Sequence, residues 1–254
     1  MATTDGGTPG LPASIEAAWG MRTRPGRGPK PGLSLDRIVD AAVKIASSDG
    51  LAAVSMNRVA ANLGTSAMSL YRYVAAKDEL LDLMVDAALG TPPPAQPAED
   101  WRAAMSRWAW ASLHAFRRHP WSVRVPIKGP PITPNQIVWL ENGLAAMRDT
   151  GLTAQEKMSV ILLVSGFVRN WATLTTDLAA AGLTGTHPEP AARYGRTLSR
   201  LIDPLRFPEV HAVIGSGTLD DEDDEFDNEF AFGLERLLDG VGALVASRRD
   251  AGRR

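Results

Sequence analysis

The 254-residue chain contains no cysteine. This excludes a disulfide, a thiolate nucleophile and a cysteine metal site, and it fits a reducing compartment. Also missing are a G-x-S-x-G elbow, an H-E-x-x-H pair, a P-loop and a glycine-rich dinucleotide fingerprint, so nothing points to an enzyme. No spaced set of histidines and carboxylates would hold a metal, and neither a metal nor another cofactor is expected. No apolar-polar alternation runs long enough to argue for a sheet, which leaves an all-α fold. No signal-like apolar segment follows Met1. The most apolar run, residues 158–168, is too short to span a membrane and ends at Arg169. A soluble, cytoplasmic protein without membrane contact is therefore expected. The formal charge of -2 excludes a chain that is polybasic throughout, so any affinity for nucleic acid has to come from local clustering.

One absence is local. LAAVSMNRVAANLGTSAMSLYRYVAA, residues 51–76, holds no acid in a chain that is slightly acidic overall. Within it a helical pattern over residues 55–63 meets Gly64-Thr65, and a second helical pattern covers residues 66–74. Helix, tight turn and helix follow in order, with Ser66 as a cap for the second. Ser69, Tyr71, Arg72 and Tyr73 lie along this second helix and Lys77 comes after it, a surface that suits a DNA groove. Leu70 reads as a plug at the junction of the two helices. Tyr71 has an apolar ring for the head and a hydroxyl for a phosphate.

The flanking segments complete a small helical head. Ser34 can cap a helix whose Ile38, Ala41, Ala42, Ile45 and Ala46 share one face, and Asp49-Gly50 ends it. Val59, Ala60 and Leu63 point toward that face, leaving Asn57 and Arg58 outward. A fourth helix over residues 77–89 turns Leu80, Leu81, Met84, Val85 and Ala88 inward. Residues 1–33 read as a flexible basic extension with a short helix near Ile15 to Trp19. Its Arg22, Arg24, Arg27 and Lys30 either reach DNA or only solubilise the leader. The expected divisions are thus 1–33, a head at 34–90 with its motif at 55–74, a proline-rich linker at 91–98, and a second helical domain at 99–249.

In that second domain, helices are predicted over residues 99–119, 135–149, 153–181 and 190–201, and over 226–248 at the end. Six of the seven tryptophans lie here, and spacing alone does not separate core from pocket. Trp108, Trp139 and Trp171, with the polar His114, Asn170 and Thr173, are the candidates for a ligand site. The run DDEDDE over residues 220–225 reads as a solvated loop and helix cap, not a metal site. The last helix has an apolar stripe wider than one core needs. Phe230, Leu234, Leu237, Leu238 and Val241 are accordingly expected at a subunit interface.

SLDRIVDAAVKIASSDGLAAVSMNRVAANLGTSAMSLYRYVAAKDELLDLMVDAAL, residues 34–89, resembles the head of the tetracycline-repressor (TetR) family of bacterial transcriptional regulators. The most specific pieces are Gly50-Leu51, Val59-Ala60, Leu63-Gly64, Leu70-Tyr71 with Tyr73, and Lys77. WRAAMSRWAWASLHAFRRHPW and FAFGLERLLDGVGAL look like the C-terminal domain of the tetracycline-repressor branch. The resemblance implies a homodimer with helix-turn-helix heads on double-stranded operator DNA, a ligand-binding and dimerisation domain, and repression relieved by a small-molecule effector. It carries DNA contact onto Ser55, Asn57, Ser66, Ala67, Ser69, Tyr71, Arg72, Tyr73 and Lys77. Ala67 is too short for a bidentate base contact and can meet only an apolar feature such as a thymine methyl. A second reading stays open at Asn57 and Ala67: a helical small-molecule-binding or scaffolding protein without operator-specific DNA binding.

Overall fold

The computed structural model describes residues 10–21, 33–182, 189–217 and 225–251. Every regular element among them is helical. The basic residues Arg22, Arg24, Arg27 and Lys30, and the acids at 220–224, lie outside the described residues.

The head starts with α1 (Ala13–Ala18) and α2 (Leu35–Asp49). Ser34 caps α2 as expected, its hydroxyl accepting the Arg37 N–H at 3.3 Å. A 3-10 turn (Leu51–Ala53) leads to α3 (Met56–Asn62), α4 (Ala67–Tyr71) and α5 (Lys77–Leu89). One core holds them together: Ile38, Ile45, Val54, Val59, Leu70, Leu80 and Met84 are all but sealed from solvent. The short helix near Ile15 is part of this core, because Ile15 is 2% exposed and the buried Ser14 hydroxyl donates to Glu79 Oε2 at 2.6 Å. Trp121 and Val125 from the second region also enter it.

Gly90 ends α5, and the proline-rich segment 91–98 is pinned rather than loose. Arg107 makes three hydrogen bonds of 2.8–3.0 Å to the carboxylate of Glu99 and a fourth, at 3.3 Å, to the carbonyl of Pro93. That guanidinium holds the Glu99 carboxyl below its ordinary pKa. Asp100 then caps α6 (Trp101–Arg118).

A 3-10 turn (Pro120–Arg124) and an extended loop lead into α7 (Pro134–Ala146), α8 (Ala154–Ala180), α9 (Glu189–Leu201), α10 (Pro208–Gly215) and α11 (Glu225–Ala251). The sequence pattern did not indicate α10, an eight-residue helix with no buried residue. A capping box opens α8, with the Thr153 side chain accepting from Glu156 N–H while the Glu156 carboxylate accepts from Thr153 N–H. At Gly143, a Cβ would come within 2.5 Å of Ile161 Cδ1 and 3.2 Å of Trp108 Nε1, so a larger residue would have to push both side chains aside for α7 to sit this close to α6 and α8.

The long helix α8 carries two apolar stripes. Val160, Val164, Val168 and Ala172 are buried in the second core, whereas Met158, Leu162 and Leu174, in register with Gly166 and Asn170, are exposed on another face. That double stripe gives α8 an 18-residue window with a mean hydropathy of 1.3, making it long and apolar enough to cross a membrane by length and composition. The run is therefore longer than its most apolar eleven residues imply; α6, α7 and α11 pack along it here.

The final helix corrects an expectation. Phe230, Leu234, Leu238 and Val241 are between 0% and 4% exposed within one chain, and Leu237 is half-buried. The four buried residues fill the protomer's own core and so do not form a face that a second subunit could cover, while Leu237 stays partly open. Helical periodicity measures how wide an apolar stripe is but not what covers it.

Candidate DNA interface and effector cavity

The two motif helices are set by side-chain caps. Ser55 Oγ accepts the Arg58 N–H at 3.2 Å and starts α3; Ser66 Oγ accepts the Ser69 N–H at 3.3 Å and starts α4. Between them Gly64 takes φ +64°, a left-handed conformation that turns the chain without a Cβ clash. Leu70 and Val74, both fully buried, tie α4 to the head. What remains outward is Ser55, Asn57, Ser66, Met68, Tyr71, Arg72 and Lys77, with Ser69 half-buried.

Three side chains depart from the expected recognition face. Ala67 packs partly into the head core, while Met68 beside it is 75% exposed and presents the larger apolar surface. Sequence reading passed over Met68, although a large apolar side chain in an otherwise polar helix face was a usable signal. Tyr73 is half-buried and donates its hydroxyl to the Leu33 carbonyl at 3.1 Å, so that hydroxyl is committed to closing the head. Arg58 points outward as expected and is ion-paired there with Asp49 at the end of α2. Tyr71, in contrast, is 47% exposed with nothing holding its hydroxyl, and Arg72 has no acid partner among the described residues.

In the second region the expected ligand residues do not come together. Trp108 and Trp139 are 5% and 4% exposed, and their rings meet edge to face at 5.8 Å. Each indole N–H is used: Trp108 donates to the Trp139 carbonyl at 3.0 Å, and Trp139 donates to the Gly90 carbonyl at 2.8 Å. Both are core residues. His114 and Asn170 are exposed, and the Thr173 hydroxyl bonds back to the Arg169 carbonyl at 2.8 Å within its own helix. Trp171 joins a ring cluster with Phe167 and Phe230, and its indole nitrogen is buried without a partner among the described residues.

A cavity of about 440 Å³ lies elsewhere, and none of those six residues lines it. Its walls come from α5 (Asp82, Val85, Leu89), the end of α6 (Ala115, Phe116), the loop at 125–133, Gln136 of α7 and Arg169 of α8. Loops carry no periodicity, so the sequence pattern had nothing with which to find it. Desolvation raises the Asp82 pKa above the usual carboxylate value, partly opposed by Lys128. Lys128 itself is ion-paired with Asp78 on α5.

Several bonds fasten α5 to the cavity's far wall. The buried Asp86 carboxylate accepts the Gln136 backbone N–H at 3.0 Å and the Asn135 amide at 3.1 Å, capping α7 from another helix. The Trp139–Gly90 bond lies one turn further along α7. From α1, Trp19 Nε1 donates to the Ile132 carbonyl at 2.8 Å, on the loop that lines the cavity. The DNA-facing head and the cavity thus share one wall.

Comparison with known proteins agrees with this layout. Residues 38–84 match the model for bacterial regulatory proteins of the tetR family, and residues 93–245 match the tetracyclin repressor-like C-terminal domain. The HTH-type transcriptional repressor DrrR1 of Streptomyces coeruleorubidus is 39% identical over 97% of this chain and 91% of its own length. Among solved structures, the Streptomyces coelicolor TetR family protein ActR in complex with (S)-DNPA superposes with a TM-score of 0.70 at 28% identity, covering 84% of this chain and 99% of ActR. ActR in complex with actinorhodin gives 0.69 at 29% identity, covering 84% and 98%. The chain belongs to the tetR family of bacterial regulatory proteins, and it is a DNA-binding transcriptional repressor.

Proposed function

We propose that the chain acts as a cytoplasmic homodimer whose two heads hold the half-sites of a near-palindromic operator and let go when a small molecule enters the 440 Å³ cavity. The observation that carries this reading is the placement of α5. It opens with Lys77, directly after the recognition face, and its later residues Asp82, Val85 and Leu89 wall the cavity. A ligand that favours one packing of α5 against α7 shifts the population between two dimer shapes. Half-sites sit about 34 Å apart on one face of DNA, so a change of roughly a few ångströms in head spacing prevents both from docking. The complexes of ActR with (S)-DNPA and actinorhodin support a small-molecule effector.

The contact set proposed for DNA is Ser55, Asn57, Ser66, Met68, Ser69, Tyr71, Arg72 and Lys77. Hydroxyls and helix N-terminal amides hold phosphates, the cations add a salt-dependent attraction, and Met68 and Tyr71 offer apolar contact to bases. The subunit contact is proposed along the exposed stripe of α8, at Met158, Leu162, Gly166 and Leu174, together with the exposed Phe232 of α11. Selection of bound fragments from genomic DNA, followed by a salt titration on the winning site, tests the reading. One near-palindromic site bound far more tightly than bulk DNA is the expected result. Weak binding that ignores sequence even at low salt would instead favour a helical small-molecule-binding or scaffolding role.

A further inference from the structure

The cavity leaves two polar side chains with bonding capacity unused. Thr133 is the N-cap of α7 and is 1% exposed, yet its hydroxyl does not cap the helix and has no hydrogen-bond partner among the described residues. Asp86 performs the capping instead. Arg169, half-buried on α8, uses Nη2 to donate to the carbonyls of Val123 at 2.9 Å and Val125 at 2.7 Å. Those two bonds anchor the guanidinium at the start of the cavity loop and leave Nε and Nη1 over. Among the described residues no carboxylate pairs with it. Burial lowers the guanidinium pKa from its ordinary value, the mark of a cation partly stripped of water and not repaid by an anion.

The other charges at the cavity do not neutralise it. Lys128 is committed to Asp78, and the charges acting on Asp82 are those of Lys128, Asp78 and Glu79. The remaining lining is mostly apolar, including Val85, Leu89, Phe116, Ile127 and Ile132. A volume of about 440 Å³ is that of a small-ligand site, and a guanidinium with Nε and Nη1 to spare in a mostly apolar wall suits one carboxylate. A phosphate dianion would call for more cations than the cavity spares.

We propose that the occupant of this cavity is a largely apolar organic acid, its carboxylate paired with the Arg169 guanidinium and another of its polar groups bonded to the Thr133 hydroxyl. The inference rests on reading the cavity as the effector site. It also places the ligand at the α7 N-terminus, against the residues that Asp86 of α5 holds.

The test uses the full chain and two near-isosteric probes, naphthaleneacetic acid and naphthaleneacetamide, with affinities from calorimetry. The acid should bind about tenfold more tightly than the amide, as a charge-assisted hydrogen bond in a partly dry site implies. Arg169→Gln should erase that preference while keeping the amide's affinity. Gln136→Trp, which keeps the backbone N–H capped by Asp86 but fills the cavity, should abolish binding of both probes. If both probes bind equally to the wild type and Gln136→Trp excludes both, the cavity is the ligand site and the organic-acid inference is wrong. If neither probe binds, or if Gln136→Trp leaves binding intact, the cavity reading fails and the inference falls with it. The wild-type ratio is readable whether or not Arg169→Gln folds, and a ratio near one is enough to overturn the proposal.

Discussion

Asp86 of α5 accepts the backbone N–H of Gln136 on α7 at 3.0 Å, so the helix that leaves the DNA-binding head supplies the cap for the helix that walls the cavity. Asp86 is 7% exposed, and both of its carboxylate oxygens are used, the second by the Asn135 amide. Asp86→Ala removes the cap and leaves the half-buried Gln136 N–H without its acceptor, while the Asn135 amide keeps only the Asp86 backbone carbonyl at 3.1 Å. A loss of about 2 kcal/mol is expected, above an ordinary exposed cap because the site is buried. Urea unfolding reads this directly, and an unchanged midpoint would show that α5 and α7 are not joined through this residue.

Two neighbours in α4 separate structure from recognition. Leu70 is fully buried and Tyr71 is 47% exposed. Leu70→Ala should cost about 2–5 kcal/mol of stability, because it opens a hole in the head core. Tyr71→Ala should move the melting temperature little while weakening operator binding severalfold. The reverse ordering in melting and gel-shift experiments would make Tyr71 a core residue.

Lys77 stands exposed at the first turn of α5, where no side chain caps the helix. Asp78 and Glu79 follow it, but Asp78 is paired with Lys128, and Glu79 accepts from Ser14 and from the Ala75 N–H. With those acids occupied, Lys77 is available to a phosphate. Lys77→Ala should weaken binding to every DNA sequence alike and reduce the slope of log affinity against log salt by about 0.9. An unchanged slope removes Lys77 from the interface.

The head was legible because its signals are local. Ser34, Ser55 and Ser66 cap the helices the pattern predicts, Gly64 turns the motif, and Leu70 plugs it, all decided by residues within a few positions. Which of Ala67 and Met68 points outward was lost, because over a five-residue helix a one-residue change of phase looks the same in the pattern. The cavity was lost for a different reason. Asp86 and Gln136 are 50 positions apart, and the loop between Val125 and Thr133 has no period to read. The last helix shows a third limit. Its broad apolar stripe was seen correctly, but the sequence could not distinguish α6 and α8 of the same chain from a second subunit as its cover.

That distinction yields a paired test of assembly. Leu162 on α8 is 75% exposed, whereas Leu234 on α11 is 2% exposed. Leu162→Asp should split the dimer into folded monomers, since it puts a charge on the proposed contact face without entering the core. Leu234→Asp should fail to fold, because it buries an unpaired carboxylate. Light scattering with circular dichroism reads both. A Leu162→Asp chain that remains dimeric would move the interface off this stripe.

Glu156 links the beginning of α8 to the end of α11, since its carboxylate takes two hydrogen bonds from Arg248, the Nε one at 2.9 Å, while also closing the capping box on Thr153. Arg248 first, and then the Thr153 backbone N–H, lower its pKa from 4.5 to about 2. A carboxyl whose folded-state value is depressed binds its proton more weakly in the folded chain than in the unfolded one. Its stabilising contribution is therefore fully present above about 4.5 and is lost as the pH falls from there towards about 2. Glu156→Gln should melt below the wild type at pH 7, and the gap between the two should close progressively below pH 4.5. Because the pair is open to solvent, salt should narrow the pH 7 gap as well. A gap that stays constant from pH 7 to pH 3 would mean that side-chain packing, and not the charge on Glu156, joins the two helices.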